Sequence, residues 1–191
     1  GTPWKSKGFT DGYHQMTDAV LPALLDATDG GRLPVVCDAA SCTEGLGTMQ
    51  KLAANTAKYA VLNFVDAVEF VHDRVLAALT VTSPIASIAV HPTCSSTALG
   101  ITGKLTAIAS AISPDAVVPV EWGCCAFAGD RGLLHPELTA SASAAGAAEV
   151  NSRSFAEYAS VNRTCELGMS RATGHQYRHI LELVEQATRP R

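Results

Sequence analysis

The chain has no apolar run long enough to cross a bilayer, so no transmembrane segment is expected. Basic residues number 14 against 18 acidic ones and form no stripe, so nucleic acid is not expected as a partner. Charged residues make up only 17% of the chain and hydrophobic residues 47%, the balance of a packed domain rather than a disordered chain. The opening residues, Gly1-Thr2-Pro3-Trp4-Lys5, lack the charged-then-apolar order of an export signal. They also lack an initiator methionine, and an excised piece of a longer protein is the expectation. No CxxC, no GxGxxG and no Walker pattern occur, which removes the usual spacings of zinc fingers and nucleotide loops. Six cysteines are too few, and too clustered at loops, for a small disulfide scaffold; without an export signal, reduced thiols in the cytoplasm are expected.

What is present is an alternation of short apolar runs and longer helical patterns. Residues 1–14 are polar, with Gly8 and Gly12 as breakers, and read as an extended arm. Val20, Leu21, Leu24 and Leu25 recur at helical spacing and predict a short helix over 17–26, with Pro22 in its first turn or at a kink. Strands are predicted at 33–36, 59–62, 85–90, 116–120 and 158–161. Helices are predicted after Ser41, over 65–79, 97–112 and 136–150, from Asn162, and over 175–187. Strands of four to six residues alternating with helices of ten or more predict an α/β fold: a mainly parallel sheet of about five strands with helices on both faces. Residues 1–32 are read as an N-terminal arm and helix, and 33–191 as one cysteine-rich α/β domain.

The central stretch is Val120-Glu121-Trp122-Gly123-Cys124-Cys125-Ala126-Phe127-Ala128-Gly129-Asp130-Arg131-Gly132. Adjacent cysteines do not readily bond each other, because the ring would strain the peptide between them. Both can face one centre if the backbone turns, and Gly123 and Gly129 supply that freedom. Cys42, Cys94 and Cys165 also follow predicted strands. In parallel sheets the ligand sits at the carboxyl ends of the strands, so one ordinary topology would bring five thiols to one edge. Thiolates suit soft metals, iron in iron–sulfur clusters or zinc; the alternative is that the cysteines are small, inert core residues. Cys37 ends an apolar strand and reads as a core residue. His91 either tunes a cluster or caps a backbone carbonyl. His175 and His179 stand one helical turn apart, a metal-binding spacing that on a charged terminal helix reads instead as a solvated face.

Four segments carry a resemblance: Cys37-Asp38-Ala39-Ala40-Ser41-Cys42-Thr43-Glu44-Gly45, His91-Pro92-Thr93-Cys94-Ser95-Ser96, Cys124-Cys125-Ala126-Phe127-Ala128-Gly129-Asp130-Arg131-Gly132 and Thr164-Cys165-Glu166-Leu167-Gly168-Met169. Together they resemble the cysteine-rich CCG domain of heterodisulfide reductase, of the glycolate oxidase iron–sulfur subunit and of anaerobic glycerol-3-phosphate dehydrogenase. The likeness is greatest to the C-terminal part of long bacterial D-lactate (D-2-hydroxy acid) dehydrogenases and spans roughly residues 33–190. It implies an electron-transfer module that travels with an FAD domain and a ferredoxin-like domain and relays electrons from flavin to a quinone, cytochrome or other acceptor. It implies Cys42, Cys94, Cys124, Cys125 and Cys165 as metal ligands, an iron–sulfur cluster of the 4Fe–4S type or else zinc as cofactor, and no catalysis by this fragment alone. Its expected place is the cytoplasm, with peripheral attachment to the inner face of the cell membrane as an option. Two positions depart from the pattern: Ala126 stands where the family has glycine after the cysteine pair, and Gly168 stands where a second cysteine would follow Cys165. The competing reading is a zinc-bound or metal-free α/β docking domain without a redox role.

Overall fold

The computed structural model describes residues 2–190. They divide into two compact units, one ending at Ala67 and one beginning at Val68. Both have parallel sheets, one of two strands and one of four. The mixed α/β fold, the parallel pairing and the helical cover on both faces match the sequence reading.

The first unit opens with two helices, α1 (Thr2–Ser6) and α2 (Thr10–Ala27), where an extended arm was expected. Gly12 does not break α2. A Cβ there would lie 2.9 Å from the Trp4 ring, so glycine is what lets α1 pack on α2. Pro22 stands in the interior of α2 rather than in its first turn, without the N–H that would bond back to the preceding turn. The helix is held by its apolar stripe: Tyr13, Leu21 and their neighbours Met16, Val20, Leu24 and Leu25 pack with Met49, Ala53 and Leu62. The strands β1 (Val35–Cys37) and β2 (Phe64–Asp66) pair in parallel, with Cys37 opposite Asp66. Between them lie α3 (Ala40–Leu52) and the single turn α4 (Thr56–Tyr59), whose N-cap Asn55 accepts from the Lys58 N–H. That cap draws Tyr59 into a helix, so the second strand falls at 64–66 and not at 59–62.

The chain passes into the second unit through α5 (Ala67–Phe70), followed by a π-helical turn at Val71–Val75 and a 3-10 turn at Leu76–Ala78 in place of one regular helix. Then come β3 (Ile88–Val90), α6 (Cys94–Ala98), α7 (Thr102–Ile112) and β4 (Ala116–Val117). One helix over 97–112 was expected. Gly100 takes a left-handed backbone, φ 72°, and splits it in two. β4 stops before Pro119, and Val120 is open to solvent. After a long loop follow α8 (Arg131–Leu134), α9 (Pro136–Val150), β5 (Glu157–Ser160), α10 (Arg163–Thr173), β6 (Tyr177–His179) and α11 (Ile180–Thr188).

The strand order is β4-β3-β5-β6, every pair parallel. β3 is buried throughout, as a central strand covered on both faces must be. α7 packs with α11, and α9 with α10, giving the two covering layers. β6 was not foreseen: Tyr177, Ile180, Leu181 and Val184 fit a helical spacing, yet residues 177–179 pair with β5, Tyr177 opposite Tyr158. Gly174, φ 78°, ends α10 and permits the reversal. Among the described residues no helix is long and apolar enough to cross a membrane.

Candidate thiol centre

The order of strands reverses at β3 and β5. The chain leaves β3 for β4 on one side and returns past it to β5 on the other. Such a switch opens a crevice at the strands' carboxyl ends. Cys94 is the first residue of α6, just after β3; Cys165 lies in the first turn of α10, just after β5; Cys124 and Cys125 lie on the loop that follows β4. Four thiols from three neighbouring strand ends therefore meet at one edge.

They sort into an inner and an outer pair. Cys125 and Cys165 are buried, their sulfurs 3.2 Å apart and joined by a hydrogen bond. Cys94 and Cys124 are exposed, Cys124 accepts from the Ala126 N–H at 3.3 Å, and Cys124 is one of the groups that raise the Cys94 thiol. Cys94 also feels the charge of Cys125, and Cys165 that of Cys94 and Cys125, so the two pairs are electrostatically joined.

The environment decides which sulfur ionises. The hydrogen bond with Cys165, supported by the Phe127 backbone, outweighs burial and brings the Cys125 thiol down to about 7. Cys165 is pushed upward by that same bond, by burial and by the Cys125 charge. Asn162, the N-cap of α10, gives partial relief to Cys165 and also donates to Ser95 Oγ at 3.0 Å, tying α10 to α6. Burial, then the neighbouring Cys124, raise Cys94 to about 11.

The loop carrying Cys124 and Cys125 is fixed at several points. The Glu149 carboxylate at the end of α9 accepts from the N–H groups of Val120 and Glu121 at 2.9 and 2.7 Å. His91, at the end of β3, is buried, and its Nε2 lies 3.0 Å from the Gly123 carbonyl. A carbonyl only accepts, so Nε2 carries the proton and the imidazole is neutral; burial lowers its proton affinity accordingly. His91 is thus a carbonyl cap one residue before the cysteine pair. Together with Trp122, Gly146, Met169 and Tyr177 it lines a small cavity of about 10 Å³ beneath the loop. Phe127 anchors the other end, fully buried among Cys125, Val150, Cys165 and Met169. Gly132 must be glycine, because a Cβ there would meet the Phe127 ring at 2.6 Å. Ala126 and Ala128 adopt left-handed backbone, φ 52° and 43°, which costs a residue with a side chain about 1–2 kcal/mol each. The strained turn at Ala126 follows directly on the thiol pair, where held strain is usual at functional sites.

Two further features lie beside the inner pair. A Cβ on Gly168 would stand 3.3 Å from the Cβ of Cys125, so the position three after Cys165 faces the same thiol. Thr139 packs there too, its methyl 3.5 Å from that point, and its buried hydroxyl has no hydrogen-bond partner among the described residues.

Of the other residues singled out in the sequence, Cys42 belongs to the first unit, exposed in the first turn of α3. Cys37 is buried, and burial, partly offset by a hydrogen bond from Thr43, raises its thiol with help from Cys42, Asp66 and Asp38. His175 and His179 share no helix: His175 stacks on Tyr158 at 4.3 Å, and His179 Nδ1 caps α11 by accepting from the Leu181 N–H. Phe127, Thr139, Asn162 and Gly132 were missed. An aromatic set among the small residues 123–129 was the one signal that could have found Phe127.

Among the described residues no three His, Cys, Asp or Glu side chains already stand in metal-holding geometry. By donor chemistry the residues fit a soft metal: four sulfurs, one of them brought down to about 7, and beside the inner pair the residue Thr139, whose buried hydroxyl has no partner among the described residues. Comparison with known proteins finds no family model that matches the chain and no curated protein that matches it.

Proposed function

We propose that this chain is the cysteine-rich electron-transfer module of an FAD- and iron–sulfur-dependent D-2-hydroxy acid dehydrogenase of the D-lactate type. It works beside FAD and ferredoxin-like domains, in the same polypeptide or complex, and passes electrons toward a quinone or cytochrome in the cytoplasm, at or near the inner face of the membrane. The observation that carries the reading is the meeting of Cys94, Cys124, Cys125 and Cys165 at the switch point of a parallel sheet. These four sulfurs would hold the cluster. When bound, such a cluster supplies one-electron steps at a potential tuned by its surroundings.

The chain's own residues prepare that site. Cys125 offers a thiolate near neutral pH without a base to remove its proton. Asn162 orients Cys165. His91 fixes the Gly123 carbonyl next to the cysteine pair and, being neutral, adds no charge there. Burial of Phe127 shields the inner pair from water.

The test is iron, zinc and acid-labile sulfide content with a visible spectrum, on protein purified without oxygen. Iron and sulfide in near-equal amounts with broad visible absorption, lost in Cys124→Ser and Cys125→Ser, is the expected result. Zinc without colour would support the docking-domain reading instead. Neither metal, even after anaerobic reconstitution together with the flavin and ferredoxin-like domains, would overturn the ligand assignment.

A further inference from the structure

The same four thiols carry a second chemistry that needs no metal. We infer that the metal-free protein is a dithiol relay: Cys124 and Cys94 exchange with small-molecule disulfides at the surface and pass the oxidation inward to a Cys125–Cys165 disulfide. The inference goes beyond the cluster reading and does not depend on it.

Three observations carry it. The inner sulfurs are 3.2 Å apart, and a disulfide needs about 2.0 Å, so closure takes roughly 1.2 Å of side-chain movement. The inner pair is buried, which hinders a bulky oxidant, while the outer pair is open to solvent and Cys124 is the chain neighbour of Cys125. Cys94 is within electrostatic reach of both Cys125 and Cys165, so the outer pair adjoins the inner one. A disulfide between the sequence neighbours Cys124 and Cys125 would strain the intervening peptide, which leaves Cys125 to pair with Cys165.

The steps balance. The Cys124 thiolate attacks one sulfur of an external disulfide; the S–S bond breaks, one thiolate leaves, and a mixed disulfide forms on Cys124. Cys94 attacks the Cys124 sulfur, displaces the second external thiolate and closes Cys94–Cys124. Cys125 then attacks the Cys94 sulfur and frees Cys124. Cys165 attacks the Cys125 sulfur and frees Cys94. Two electrons and two protons have moved from Cys125 and Cys165 to the external disulfide, which ends as two thiols. Each step is thiolate attack on a disulfide sulfur.

The experiment treats the full chain, stripped of metal by chelation and assayed to confirm it, with oxidised glutathione under nitrogen. Free thiols are trapped by alkylation at intervals and the digest is read by mass spectrometry. The expected product is a Cys125–Cys165 cross-linked peptide with no glutathione retained. Cys124→Ser and Cys94→Ser should each slow its formation by about tenfold or more, because direct attack on the buried pair is hindered. Cys165→Ser should halt the relay one step short of the inner cross-link, with the disulfide held between Cys94 and either Cys124 or Cys125. Glutathione left on Cys94 or Cys124 without the inner cross-link would overturn the proposal. So would inner cross-linking at an unchanged rate in both outer-pair variants. Circular dichroism of each variant separates a misfolded chain from a blocked step, and metal content, measured on other samples, tests the cluster reading independently.

Discussion

At the carboxyl end of β1 the first unit holds Cys37, buried, opposite Asp66 in β2 and next to Asp38; at the carboxyl ends of β3, β4 and β5 the second unit holds four thiols, and no carboxylate is among the groups that shift Cys94, Cys125 and Cys165. Both places are the end of a parallel strand just before a helix. At Cys37 burial and the neighbouring acids keep the thiol protonated. At Cys125 burial acts in the same direction, yet a thiol donor and the Phe127 backbone outweigh it and bring the group to about 7. The comparison teaches that a cysteine's place in the topology does not make it reactive. What matters is whether its immediate neighbours give hydrogen bonds or hold negative charge.

The largest effect expected from breaking the second arrangement is at its anchor. Phe127→Ala removes a fully buried ring from the cluster around Cys125 and Cys165 and should cost about 3–5 kcal/mol. Urea unfolding followed by Trp122 fluorescence in a Trp4→Phe background would measure it, since the two tryptophans lie in different units. A loss below about 1 kcal/mol would mean that the loop does not depend on the ring.

The next effect is one of pH and belongs to His91. Its imidazole is neutral when folded and its proton affinity is lowered by burial. The unfolded chain therefore binds this proton at higher pH than the native one. Stability from this group is present above the unfolded value, about 6.5, and is lost as pH falls through the folded value, at no more than about 1.4 kcal/mol per pH unit for one proton. His91→Gln keeps a donor for the Gly123 carbonyl and should flatten that part of the profile. Denaturation midpoints between neutral and mildly acid pH would show it, and a slope unchanged in the variant would remove His91 as its source.

The parallel sheet and the cysteine edge were legible because both follow from coarse pattern. Short apolar runs between helices fix strand direction, and strand direction sends Cys94, Cys124, Cys125 and Cys165 to one end. What was not legible depended on contacts between distant residues. Gly12 reads as a breaker until Trp4 is seen to need its space. Residues 177–179 fit a helix as well as a strand, and the open edge of β5 decides for the strand. The division of the thiols into buried and exposed pairs is invisible in their spacing, because it comes from how the loop after β4 folds over Phe127. The sequence allows His91 two roles, and the Gly123 carbonyl at 3.0 Å selects the capping one.

Removing the donor to Cys125 tests the electrostatic half of the comparison. In metal-free protein, ultraviolet thiolate absorbance should show a group ionising at about 7. Cys165→Ala takes away the largest cause and should move that midpoint up toward the ordinary thiol value of about 8.5, while Cys165→Ser, which keeps a donor, should fall between. A midpoint that stays at about 7 in Cys165→Ala would assign the thiolate to the loop backbone alone.

The smallest effect concerns the turn itself. Ala126 holds φ 52° directly after the thiol pair, and Ala126→Gly should stabilise the folded chain by up to about 1 kcal/mol, because glycine adopts that backbone without a Cβ clash. The gain is reduced by glycine's greater freedom in the unfolded state. If the strain serves only to shape the turn, the variant should gain stability and leave the Cys125 midpoint unchanged. If the strain instead presses the Phe127 backbone toward the Cys125 sulfur, relaxing it should raise the midpoint while stability rises. Either shift is small, but the two measurements on one variant separate a rigid scaffold from a loop whose strain is spent on the thiolate.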